Sequence, residues 1–136
     1  MAGYSGTPLP KKLGIKEGHK VAAICAPDGF IKSLGALPLG AAIRADYALK
    51  SRFDVIVCFV TSRTQLKREI GAGRAHMTPA AGFWIAWPKK SSGVATDVTE
   101  DVVREIALPT GLVDNKVCAI DETWSGLRLV IRKELR

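Results

Sequence analysis

Two kinds of apolar pattern divide the chain. Short, nearly unbroken apolar runs occupy Lys20 to Cys25, Asp54 to Val60 and Phe83 to Trp87. They lack the polar alternation of a half-exposed strand, so they predict strands covered on both faces, as in a parallel sheet. Elsewhere the apolar residues fall at helical spacing: Leu66 and Ile70 lie four apart, and Val102, Val103, Ile106 and Ala107 form a stripe. Ser62 and Gln65 have capping-box spacing, which predicts a helix from Arg63, weakened at its end by Gly71 and Gly73. Thr99 ahead of Glu100 and Asp101 predicts a second helix with a capped, dipole-complemented start. Pro109 and Gly111 end it.

Weaker signals fill the intervals. Thr7 to Gly14 reads as one helical turn in an N-terminal arm, residues 1–19. Ala26-Pro27-Asp28-Gly29 is a turn, Phe30 to Leu37 a short helix and Ala41 to Ala45 a weak strand. Lys116 to Ile120 and Leu127 to Arg132 predict a closing hairpin, with Asp121 to Gly126 as its loop. The order predicts an α/β fold: a compact Rossmann-like, three-layer domain, mostly parallel, ending in an antiparallel hairpin. A chain of 136 residues suits a single domain spanning 1–136.

Composition narrows the class. An apolar fraction of 47% with 24% charged residues excludes a disordered chain. No apolar run approaches the roughly 20 residues of a membrane span. Met1 to Gly6 lacks the basic and apolar regions of a signal peptide, so a cytoplasmic protein is expected. The net charge of +7 favours anionic partners but is spread along the chain without a dense basic arm. Cys25, Cys58 and Cys118 each fall in an apolar run without metal or redox spacing, which predicts small buried apolar residues. His19 and His76 have no second ligand nearby, and Asp97, Glu100, Asp101 and Glu105 suit a helix start and a solvated face. No metal site is expected.

Candidate chemistry gathers where the strands end, because open α/β sheets bind ligands at their carboxyl edge. The run Phe83 to Trp87 stops at Pro88 and passes to Lys89, Lys90, Ser91 and Ser92, a place for an anion. Thr61 and Arg63 at the following helix start would supply free amides. Asp28, Asp121, Glu122 and Trp124 complete the set, with a carboxylate placed to hold a hydroxyl or act as a base. Trp84 and Trp87 read as core. No catalytic motif is present: Ser125 has no histidine near it in sequence and there is no Gly-x-Ser-x-Gly elbow.

Residues 54–132 resemble the S-adenosylmethionine-dependent methyltransferase fold through Asp54 opening a strand, Gly82 before the next, and the final hairpin. The glycine-rich turn of that family is replaced by Ala26-Pro27-Asp28-Gly29-Phe30, and no acidic residue clearly ends the following strand. A wording match is closer. Tyr4-Ser5-Gly6-Thr7-Pro8-Leu9, Trp87-Pro88-Lys89-Lys90 and Lys116-Val117-Cys118-Ala119-Ile120-Asp121-Glu122-Thr123-Trp124-Ser125-Gly126 resemble an uncharacterised bacterial family, a domain of unknown function. That resemblance implies a bacterial cytosolic origin and brings no activity with it. The first expectation is therefore a non-catalytic module that binds a small anion or a partner protein at the Lys89–Ser92 edge. An enzyme on a degenerate methyltransferase-like scaffold, with Asp121 or Glu122 as base, is the alternative. Weak electrostatic nucleic-acid binding is the third. The sequence names no cofactor.

Overall fold

A computed structural model describes residues 7–136; the Tyr4-Ser5-Gly6 part of the first motif lies outside them. Its centre is β3 (Phe53–Phe59), with every residue but Asp54 buried. Against it lie β1 (Lys20–Ile24) on one side and β4 (Met77–Pro88) on the other, both parallel to it. β2 (Ala42–Arg44) extends the β1 side in parallel. β6 (Trp124–Ile131) runs antiparallel to β4, and β5 (Leu112–Ala119) antiparallel to β6. The sheet has six strands in the order β2-β1-β3-β4-β6-β5, so the predicted mostly parallel Rossmann-like sheet with a terminal hairpin is the observed fold.

Alternation along β3 feeds two cores. Ile56, Cys58 and Val60 belong to the core under α3 (Arg63–Ala75) and α4 (Glu100–Ala107), with Leu66, Ile70, Val103 and Ala107 from the helices. Val55, Val57 and Phe59 belong to the opposite core, with Trp84, Leu13, Ile15, Phe30 and Leu34. The second face is covered thinly, by α1 (Leu9–Lys12) and α2 (Phe30–Ser33), each of four residues. Leu9, Leu13 and Ile15 thus tie the described part of the N-terminal arm into the core. The indole Nε1 of fully buried Trp84 donates to the Leu13 carbonyl at 3.1 Å, which fixes the arm to the sheet.

Both long helices start as the pattern predicts. Ser62 Oγ accepts the Gln65 amide at 3.1 Å and Thr99 Oγ1 accepts the Val102 amide at 3.2 Å. The Gln65 side chain closes its box one residue early, on the Thr61 amide. Three expectations are refined. Gly71 and Gly73, read as weakening the end of α3, do lie in its last turns before Ala75; at Gly73 a Cβ would stand 2.2 Å from Phe83 Cζ, so that glycine serves helix–sheet contact. β4 begins at Met77, well before Phe83, with an irregularity that skips residues 78–81 in the pairing with β3. Trp124-Ser125-Gly126 is strand, not loop, because Asp121 tightens the turn and pairing resumes at Trp124.

The two glycines of α3 should respond in opposite directions to alanine. Gly71 has open space around it, so Gly71→Ala raises stability by about 0.5–1 kcal/mol through helix preference. Gly73→Ala meets Phe83 and lowers stability by about 1–3 kcal/mol. Urea denaturation of both variants measures the contrast.

Candidate functional site

The carboxyl edge is built around the sharp exit from β1. The chain leaves Ile24 through Cys25 at φ 55°, a left-handed conformation that side chains rarely adopt, and re-enters helix through Gly29 at φ 83°. Residues held this way cost about 1 kcal/mol or more and persist where their surroundings impose them. The turn divides two adjoining clefts that share Pro27, Asp28 and Gly29. One, of about 690 Å³, has mostly small and apolar walls from Ala23, Cys25, Ala26, Ile31 and Ala45, with Lys32 adding a positive charge opposite Asp28 in sign. The other, of about 300 Å³, is closed by Phe30, Ser33, Asp121, Thr123 and Trp124.

The hairpin supplies the far wall of the smaller cleft. Asp121 Oδ1 accepts the amides of Thr123 and Trp124, each at 2.8 Å, and the Lys89 amide donates to the Thr123 carbonyl at 2.8 Å. One carboxylate oxygen of Asp121 is therefore committed to the turn. Trp124 packs edge-on against Phe59 with centroids 5.0 Å apart, and Phe30 packs on Phe59 in the same manner at 4.8 Å. A stack of three rings thus supports the cleft floor.

The fold brings Asp28, Asp121 and Trp124 together as the sequence suggested, and separates the rest. Thr61 gives its amide to Gln65 and its carbonyl to the Thr96 hydroxyl at 2.7 Å. The Arg63 amide donates to Asp97 at 2.8 Å, and its guanidinium pairs with Glu105 at 3.3 Å. Amides at the α3 start that were expected to be free are filled from within the chain. Lys89 and Lys90 line neither cleft; Lys90 to Ser92 form a short 3-10 turn in which Ser92 Oγ donates to the Lys89 carbonyl at 2.7 Å. Ser91 and Glu122 are exposed. Among the acidic residues of α4, Glu100 and Asp101 pair with Arg104.

Pattern reading missed Cys25, Ala45 and Ser33 as wall residues. Cys25 was expected in the core; β1 ends one residue earlier, and the left-handed turn leaves its side chain exposed. Cys58 fits the expectation: it is fully buried, and burial pushes its thiol pKa up. Cys118 is half-buried and its thiol is raised for the same reason. An acidic residue does follow β2, two positions on, but Asp46 is tied to Arg44 at 3.0 Å.

Solved methyltransferases superpose on this fold. A SAM dependent methyltransferase from Aquifex aeolicus superposes with a TM-score of 0.64 at 14% identity, over 89% of this chain and 87% of that one. A ribosomal protein L11 methylase from Lactobacillus delbrueckii subsp. bulgaricus gives 0.60 at 12% identity, over 90% and 74%. Fibrillarin from Aeropyrum pernix, solved with natively bound S-adenosyl-L-methionine, gives 0.58 at 14%, over 93% and 70%. The chain therefore has the fold of S-adenosylmethionine-dependent methyltransferases, and at these identities the likeness extends to the fold alone. No family model matches the chain, and the expected membership of an uncharacterised bacterial family gains no support from it. No curated protein matches it in sequence. No helix among the described residues is long and apolar enough to cross a membrane.

The strained turn makes two checkable statements. Cys25 reacts with a thiol reagent in the folded protein, whereas Cys58 reacts only on unfolding, as mass spectrometry of labelled peptides would record. Cys25→Gly leaves stability equal or higher, and Cys25→Val lowers it by about 1–2 kcal/mol, because a branched side chain at positive φ clashes with its own backbone.

Proposed function

We propose that this chain binds an S-adenosyl compound in the larger carboxyl-edge cleft and a methyl acceptor in the smaller one. The observation that carries the reading is their adjacency: two clefts meet across Pro27-Asp28-Gly29 at the edge where open α/β sheets bind ligands. A two-substrate transfer needs two sites that touch. The expectation of an anion module at Lys89–Ser92 is weaker, since neither lysine lines either cleft.

The residues present fit such a ligand in size and wall character. Ala23, Ala26, Gly29 and Ala45 keep the walls of the larger cleft low, so a ligand can approach the backbone without a glycine-rich turn. Asp28 borders both clefts, and with Lys32 on the wall of the larger one it offers one charge of each sign to a ligand that carries both an amino and a carboxylate group. Its bound partner would supply an electrophilic methyl group. Asp121 keeps one oxygen on the hairpin amides, which orients its second oxygen as proton acceptor for a hydroxyl or amine acceptor. Phe30 and Trp124 give that cleft its apolar wall.

Thermal denaturation with S-adenosylmethionine and S-adenosylhomocysteine tests the first half. A ligand at about 100 times its dissociation constant adds about 2.7 kcal/mol to stability. Ala45→Trp, at an exposed cleft wall, should abolish the shift while leaving the ligand-free melting temperature nearly unchanged. No shift with either compound, or an equal shift in Ala45→Trp, contradicts the proposal.

A further inference from the structure

Positive charge that is scattered in sequence is collected by the fold on the amino side of the sheet, remote from the two clefts. A pocket of about 420 Å³ there is lined by Lys11, Lys12, Lys16, Lys116 and Arg128, with Asp54 the one carboxylate among the described lining residues. That carboxylate is engaged on both oxygens, by the Lys20 amide at 2.9 Å and the Thr78 hydroxyl at 3.4 Å. Residues 1–6 carry no acidic side chain. Lys16 gives its amide to His19 Nδ1 at 3.1 Å, which turns the ring's Nε2–H into a further donor at the same wall.

Three features beside this pocket cost stability, and the fold offsets them only in part: Lys116 Nζ donates to the Lys12 carbonyl at 3.4 Å and Lys12 Nζ to the Ala119 carbonyl at 3.0 Å. Lys116 and Arg128 are register partners across β5 and β6, and like charges directly opposite destabilise a sheet. Arg128 is half-buried without a hydrogen bond or ion pair among the described residues; burial and the neighbouring Arg136 lower its pKa. Gly82, inside β4, leaves room for it, since a Cβ there would stand 2.5 Å from Arg128 Nε. The third is a bulge: pairing passes from Asp114–Leu129 to Lys116–Arg128, and the extra residue, Asn115, lines the pocket. Bulges re-aim side chains beside functional sites. An anion seated between Lys116 and Arg128 turns the repulsion into attraction and completes the guanidinium's hydrogen bonding.

We propose that this pocket is a second binding site, for a small anion bearing two or more phosphate groups. Five cationic side chains against one carboxylate leave a surplus of four positive charges, with histidine neutral. Each phosphate carries about −1.5 to −2 at neutral pH, so two or more are needed to match it. The volume falls in the usual range for small ligands, roughly 300–1,000 Å³. His19 is the one ring among the described lining residues, too little for the run of aromatic platforms on which a single-strand nucleic-acid binder stacks successive bases.

Isothermal titration of the full chain with inorganic tripolyphosphate, orthophosphate and a single-stranded oligonucleotide tests this. Tripolyphosphate should bind one per chain and more tightly than orthophosphate. Arg128→Gln and Lys16→Gln should each weaken it by about tenfold or more; Lys16 is exposed, so its variant reads binding without disturbing the fold. The proposal is overturned by absent tripolyphosphate binding, by unchanged affinity in both variants, by equal affinity for orthophosphate, or by oligonucleotide binding that tripolyphosphate fails to displace.

Discussion

β3 is buried on both faces, and the rest of the molecule is arranged around covering two apolar surfaces at once. Val55, Val57 and Phe59 point to one core, while Ile56, Cys58 and Val60 point to the other. A register slip of one residue would exchange the two sets, so the pairing with β1 and β4 is strongly specified. Connections on either side of β3 cross opposite faces of the sheet. Loops therefore diverge at the carboxyl ends of β1 and β3, which is where a crevice opens in doubly wound sheets.

The two covers are unequal, and this inequality produces the candidate sites. α3 and α4 shield one face with long apolar stripes. The other face is shielded by two four-residue helices and by Trp84 bonded to the Leu13 carbonyl. Helices this short cannot span a sheet, since each residue rises only about 1.5 Å. Depressions remain beyond their ends. Two flank the turn into α2 at the carboxyl edge, and the basic pocket lies beside α1 on the amino side. A thin layer thus leaves room for ligands on both edges of a single sheet.

Much of the fold was legible because its elements are locally consistent. Unbroken β-branched runs marked β1 and β3, and Ser62 and Thr99 marked the helix starts that the structure caps. The role of Gly73 was hidden because its use in close packing is set by a partner ten residues away, Phe83, which propensity does not see. The site was legible in part. Asp28, Asp121 and Trp124 meet because strand order places their loops on one edge. Thr61 and Arg63 were not separable from them in sequence, since their occupation by Thr96 and Asp97 depends on how the 93–99 loop returns. The basic pocket was illegible for a similar reason: Lys16 and Arg128 are far apart in the chain and meet only through the sheet.

The central proposal is that the carboxyl edge beside β1 binds an S-adenosyl compound. Its most direct test is a nitrogen-15 amide NMR titration of the full chain with S-adenosylhomocysteine. Saturable shift changes are predicted for residues 25–33 and for Ala45, with smaller changes at Thr123 and Trp124 and none at Lys16 or Arg128. Absence of saturable changes, or changes confined to the amino-side pocket, would contradict the account.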